Sequence, residues 1–239
     1  MAGTDAGLTA PALTGIRRLS ALDTVRARIA LAVELGLLAP GERLPHNAEI
    51  AKALDVGEIT VRRALVSLCE DGVLDRRRGR TGGTLVAAEP ATGRVREIAA
   101  YTGAAAEVGA LIDHRLALEC GLVHLAALRR PPAAVAELRD LVERMDAAPG
   151  WAEFHDLDAR FHLAVARASG VPSTERYGEA LRDLYRFFLP YPIDYLRGSN
   201  REHHDLVRAV ENRDPVAAVD VTCLHVEALR HTMLTRPPR

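Results

Sequence analysis

Val25–Val86 reads VRARIALAVELGLLAPGERLPHNAEIAKALDVGEITVRRALVSLCEDGVLDRRRGRTGGTLV. Leu22, Val25, Ile29 and Val33 recur at the spacing of one helix face, and Gly36 ends that helix near Leu35. Pro40-Gly41 marks a turn, and Leu44-Pro45 is an extended step. Asn47 is placed to cap a second helix whose inner face is Ile50, Ala51 and Leu54. Asp55-Val56-Gly57 is a tight turn into a third helix, expected over Glu58–Asp71. Its inward residues are expected to be Ile59, Ala64, Leu65 and Leu68, with Thr60, Arg62 and Arg63 nearer the outer face. Gly72 stops it. Val73–Arg76 and Thr84–Val86 then pair as two strands around Arg77–Gly83.

Three short helices followed by a basic hairpin is the order of a winged helix-turn-helix, whose third helix enters the major groove of double-stranded DNA. The whole chain has a formal net charge of −1, so it is not a basic nucleic-acid coat. Locally, Arg62, Arg63, Arg76, Arg77, Arg78 and Arg80 face only Glu70, Asp71 and Asp75, a surplus of about +3 that attracts phosphates. An outward arginine reaches guanine O6 and N7 with two bonds, worth about 1–3 kcal/mol of discrimination. The DNA-contact candidates are therefore Thr60, Arg62 and Arg63 on the third helix, and Arg77, Arg78, Arg80 and Gly82 on the wing. The plainer alternative is a solvated helix face in which Arg63 pairs with Glu70, beside a basic run that merely sits in water.

The chain has 239 residues, enough for two domains with cores of their own. Met1–Ser20 is expected to be a mobile tail, residues 21–88 the DNA-binding domain and 89–93 a linker. Residues 94–235 show helical periods and no convincing strand. Helices are expected over Arg94–Ala100, Ala105–Leu128, Pro132–Ala147, Trp151–Ser169, Glu175–Phe188, Asn200–Asn212 and Pro215–Leu234. Ser199-Asn200-Arg201-Glu202 has the form of a capping box and predicts a helix start there. The expected fold is mostly α: a winged helix followed by an all-α bundle. Three dispersed cysteines without a CxxC suggest reduced thiols in a cytoplasmic protein. No apolar run approaches the ~18 residues of a membrane helix.

Within the bundle, Asp158 and His162 are four residues apart, on one helix face. His203 and His225 have apolar residues around them on two further helices. Three imidazoles and a carboxylate from three helices are suitable ligands for a first-row transition metal. A lone histidine on an apolar face is more commonly a hydrogen-bonded core residue. His155 lies three residues before Asp158 and competes with it; His204 is about 100° around the helix from His203. Arg115 stands in a stretch rich in Leu and Ala, and a buried guanidinium requires an anion. Glu119 is the plain partner, an effector carboxylate the functional one. Tyr185, Phe188, Tyr191 and Tyr195 line a pocket or pack the core.

Residues 22–88 resemble the winged-helix domain of GntR-family transcriptional regulators. The matching pieces include Gly36–Gly41, Leu44-Pro45, Leu54-Asp55-Val56, Val61-Arg62-Arg63-Ala64-Leu65, Asp71–Leu74 and Gly82–Val86. Residues 94–235 resemble the FCD-type ligand-binding domain of the FadR subfamily. They do so through Arg115-x-x-x-Glu119, Asp158-x-x-x-His162, Glu202-His203 and His225. The resemblance implies a homodimeric repressor. It implies a divalent metal (zinc, nickel or manganese) on Asp158, His162, His203 and His225, and a small organic-acid effector steadied by Arg115. Two departures bear on operator sequence: Gly57-Glu58 stands where the family commonly has Ser-Arg, and Ala48 where an Arg is frequent. Val171 replaces a frequent Asn beside the pocket. The alternative function is a metal-dependent enzyme in the helical domain, but no HExxH, GxSxG or Walker motif supports it.

Overall fold

The computed structural model describes residues 19–79, 82–172 and 174–233. Most of the tail expected over residues 1–20, and Arg80 of the wing, lie outside them. Helix α1 (Ala21–Glu34) is capped by Ser20, whose Oγ accepts from the Asp23 N–H at 3.2 Å. Helix α2 (Asn47–Ala53) starts one residue earlier than its expected cap allows. Leu44-Pro45 delivers His46 in extended geometry, so His46 takes the cap position and Asn47 is the first helical residue. The Glu49 carboxylate accepts from the His46 N–H at 3.1 Å.

Helix α3 (Glu58–Glu70) buries Val61, Ala64, Leu65 and Leu68, a clean i, i+3, i+4, i+7 stripe. Ile59 was expected in that stripe but points the other way and is 69% exposed. It precedes Val61 by two residues, which is about 200° of helix rotation. Gly72, at φ +80°, takes the left-handed position after the Asp71 cap and turns the chain into the wing. Strands β1 (Leu74–Arg77) and β2 (Gly83–Val86) pair antiparallel, with Leu74 opposite Val86 and Arg77 opposite Gly83.

One 3-10 turn (Thr92–Arg94) leads to α4 (Glu97–Thr102), α5 (Ala105–Arg129), α6 (Pro132–Asp146), α7 (Trp151–Ala168), α8 (Glu175–Tyr185), α9 (Ile193–Glu211) and α10 (Pro215–Thr232). Helix α8 ends three residues before the expected Phe188, and a corner runs from Arg186 to Pro192. The expected helix start at Ser199 is overturned. Pro192 is the cap of α9, and Ser199–Glu202 lies inside the helix, where Asn200 is buried. Leu196 already belongs to the buried stripe, so packing extends the helix back past the apparent box.

Helix α5 lies along α10, α6 packs on α7 and α9, and α7 touches α5, α8 and α9. The winged helix rests on this bundle, with α1 against α4 and α2 against α7. A single apolar cluster runs from Val25, Ile29 and Leu68 through Tyr101 to Phe154 and Leu189. Among the described residues, no helix is long and apolar enough to cross a membrane.

Candidate metal centre and DNA-facing surface

Helix α7 buries Phe161 and Val165, and that face brings Asp158 and His162 inward. His203 comes from α9 and His225 from α10. One ring nitrogen from each of His162, His203 and His225 lies within 4.8 Å of the others. The opposite nitrogens are all engaged. His162 Nδ1 is 2.7 Å from Glu119 Oε1, His203 Nδ1 3.1 Å from Asn200 Oδ1, and His225 Nδ1 2.7 Å from Glu202 Oε2. The Asn200 amide is oriented by its own donors, which reach the Val142 carbonyl at 2.9 Å and Asp146 at 2.7 Å. An oxygen acceptor at each Nδ1 holds the proton there and leaves the Nε2 lone pair free.

Asp158 Oδ1 lies 3.4 Å from His203 Nε2 and 3.7 Å from His162 Nε2. Neither distance carries hydrogen-bond geometry, and His203 Nε2 is buried without a hydrogen-bond partner. Such an orphaned nitrogen is costly unless something else satisfies it. The Tyr185 hydroxyl donates to the other oxygen of Asp158. Burial lowers the pKa of His162 and His203, so both rings are neutral near pH 7, the form that ligates metals. Burial opposes ionisation of Asp158, but the imidazoles and the Tyr185 hydroxyl outweigh it and bring its carboxyl to about 2.

Arg115 is fully buried, and its Nε donates to Glu119 Oε2 at 2.7 Å. Its Nη2 lies 3.0 Å and 3.3 Å from the two ring nitrogens of His162. A point so nearly equidistant from both sits over the ring face, since in the ring plane it would collide with Cε1. The guanidinium therefore does not occupy the His162 lone pair. Its Nη1 has no hydrogen-bond partner, and neither does the buried Tyr177 hydroxyl. Burial opposes the charge on Glu119, but Arg115 and His162 outweigh it and hold its carboxyl well below the usual range. The site thus contains a paired carboxylate, an unspent guanidinium N–H and a phenol held protonated by burial.

The other histidines take the plain role. His155 Nε2 is 3.0 Å from the Leu189 carbonyl, and the ring packs between Trp151 and Phe188. His204 faces Asp146 at 2.8 Å on the surface, and His114 is exposed. Tyr191 donates to the Thr232 carbonyl at 2.6 Å and stacks near Tyr195, so this pair belongs to the core. Val171 joins an apolar cluster with Leu122 and Tyr177. Sequence reading passed over the buried Tyr177, and it paired Glu202 with Ser199 as a capping box, whereas Asn200 and Glu202 hydrogen-bond His203 and His225.

On the winged helix, Arg62 and Arg63 are exposed and Thr60 half-buried. Among the described residues no ion pair joins Arg63 to Glu70, the pairing that the plainer alternative would have used. Arg76, Arg77 and Arg78 are exposed along the wing. Gly82 has a structural requirement of its own: a Cβ there would overlap the Arg77 carbonyl oxygen. Arg43 also donates to the Gly82 carbonyl and ties the wing to the chain before α2.

Two family models match in the same order as the two halves of the fold. "Bacterial regulatory proteins, gntR family" covers residues 21–86, and "FCD domain" covers residues 110–228. RmpR of Mycobacterium gastri is 32% identical over 211 residues, spanning 85% of this chain and 77% of that protein. The chain belongs to the GntR family. The Uxu operon transcriptional regulator of Escherichia coli (strain K12) is 33% identical over 135 residues. That match spans 54% of this chain and only 51% of that protein. A solved structure named Streptococcus agalactiae GntR is similar at 25% identity, 89% coverage of this chain, 100% of that chain and a TM-score of 0.41. This GntR protein is thus a DNA-binding transcriptional regulator with an FCD effector domain, not an enzyme.

Proposed function

We propose that this GntR protein is a cytoplasmic repressor of the FadR subfamily that binds operator DNA as a homodimer and answers to a small organic acid. In this reading Thr60, Arg62 and Arg63 of α3 face base edges and phosphates in the major groove. Arg77, Arg78, Arg80 and the Gly82 backbone face phosphates from the wing. Two half-sites about one helical turn apart suit a two-fold symmetric dimer. Sedimentation of the purified protein at micromolar concentration is expected to show a dimer, and a monomer alone would count against this part.

Asp158, His162, His203 and His225 are the residues that would hold a divalent ion, with zinc, nickel and manganese as candidates. The observation that carries this is the convergence of three imidazoles whose outer nitrogens are already spoken for, around an orphaned His203 Nε2. When bound, the ion supplies a concentrated positive charge for an anionic effector. Arg115 offers its unpartnered Nη1 to the effector carboxylate, and Tyr177 offers a hydroxyl donor beside it. Glu119 serves both sides: it keeps the guanidinium in place and fixes the His162 proton.

Metal analysis of the purified protein, before and after dialysis against a chelator, tests the first half. His225→Ala should lower metal content, since fewer ligands hold an ion less tightly. A protein that is metal-free and binds none of the three ions on titration would leave the cluster as core histidines. A thermal-shift screen of small carboxylates on the metal-loaded protein tests the second half. A hit that persists in Arg115→Met, with Glu119→Gln to avoid a buried unpaired charge, would remove Arg115 from the pocket.

A further inference from the structure

Helix α3 carries two apolar side chains on its outward face, where the core has no use for them. Ile59 is 69% exposed and Val66 is 39% exposed. With Arg62 and Arg63 they fall at i, i+3, i+4 and i+7, so the four share one face opposite the buried stripe. A single exposed isoleucine needs no explanation. Two apolar residues flanking two arginines on the helix proposed to face DNA form a patterned surface. The major groove offers a matching pattern: guanine N7 and O6 for arginine, and the thymine C5-methyl for an apolar side chain.

The two positions are not equivalent. Recognition helices present their N-terminal residues to base edges, and Ile59 is the second residue of α3. Val66 lies two turns on, in a groove it shares with Arg62, Cys69, Arg76 and Thr84 between α3 and the wing. Ile59 therefore stands nearer the bases and Val66 nearer the backbone. We infer that Ile59 reads a thymine methyl group in each operator half-site, next to the contacts made by Arg62. Neither the family models nor the resemblance assigns this role. The inference rests on the reading that α3 enters the major groove.

The test uses the full-length protein and a duplex enriched from a random DNA pool by repeated binding. Each thymine is replaced singly by deoxyuridine, which lacks only the methyl. One position per half-site should lose affinity about fourfold, the worth of burying one methyl-sized group. Ile59→Ala should bind the thymine and deoxyuridine duplexes equally, and Ile59→Val should recover part of the preference. Melting of Ile59→Ala should match the parent, because the side chain is outside the core. An unaltered thymine preference in Ile59→Ala, or no thymine whose methyl matters, would overturn the inference. Arg62→Ala separates this from the underlying reading. Lost specific binding in that variant supports the helix placement whatever Ile59 does. Parent-like binding would remove α3 from the groove, and the inference with it.

Discussion

Glu58 is exposed at the first position of α3, one residue from Ile59 and four from Arg62. A carboxylate there repels phosphates that the neighbouring arginines attract. Glu58→Arg should tighten binding to unrelated DNA and steepen its fall with salt by about one phosphate contact per subunit. Titrations at several salt concentrations read the slope directly; an unchanged slope would move Glu58 away from the backbone. His155 supports a second prediction, about stability. Burial brings its imidazole down to about 4 from an ordinary 6.5, so the folded chain refuses a proton that the unfolded chain accepts between those values. Stability is then lost as pH falls from 6.5 toward 4. This side chain contributes at most about 3 kcal/mol of that loss. His155→Gln, whose amide still donates to the Leu189 carbonyl, should flatten part of the pH dependence in urea melts. Other buried histidines contribute too, so the parent-minus-variant difference is the quantity to measure. At this scale the Asp158–His162 pair was legible in sequence, since a spacing of four puts both on one helix face, whereas the approach of His203 and His225 to His162 was implied only by the resemblance. The residues that orient the imidazoles were not, since Glu202 with Ser199 fits a capping box and Asn200 lies between them without a signal of its own. Ile59 was misplaced because an apolar residue at a helix start looks like core until the phase of the helix is fixed by Val61.

Helix α9 shows how tertiary packing overrides a local signal. Ser199-x-x-Glu202 is an apparent helix start, yet the helix runs continuously from Ile193 through it. What extends it is burial of Leu196 and Asn200 on the same face as His203 and Leu206. The consequence for the site is rigidity. Asn200, Glu202 and His203 are fixed relative to one another by backbone hydrogen bonds rather than by a fraying first turn. Arg201→Pro distinguishes the two descriptions, since its side chain is exposed. Had the helix begun at Ser199, residue 201 would be in the first turn, where a missing N–H costs little. In a continuous helix the proline breaks an internal bond and should cost about 3 kcal/mol or more. It should also lower zinc retention, because the break falls between Asn200 and the histidine it orients. Chemical denaturation and metal analysis of the same preparation check both parts.

At the scale of the whole molecule, one helix faces both the site and the DNA-binding domain. Helix α7 carries Asp158 and His162 inward, while Asp156 on the same helix pairs with Lys52 of α2 at 2.8 Å. A second link runs through the α8–α9 corner. The Tyr185 hydroxyl bonds Asp158, the Tyr185 ring packs 4.4 Å from the Phe188 ring, and the Phe188 carbonyl accepts from the buried Arg28 of α1. Neither link was legible in the sequence, because the helical spacing of α1 and α2 does not show which of their residues meet the bundle. A ligand signal needs such shared elements, since it acts only by favouring one arrangement of two. Arg28→Met tests whether this junction couples the halves. An apolar side chain of similar length removes the buried charge but leaves the Phe188 carbonyl without its donor, which should cost about 1–3 kcal/mol. In calorimetry the parent is expected to melt as one transition that rises on adding zinc. The variant should show two transitions, with only that of the helical domain moving with zinc. The lost zinc shift of the other transition then measures the coupling, which in allosteric proteins is about 1–3 kcal/mol. A variant that still melts as one zinc-responsive unit would place the coupling on the Lys52–Asp156 contact and the shared apolar cluster instead.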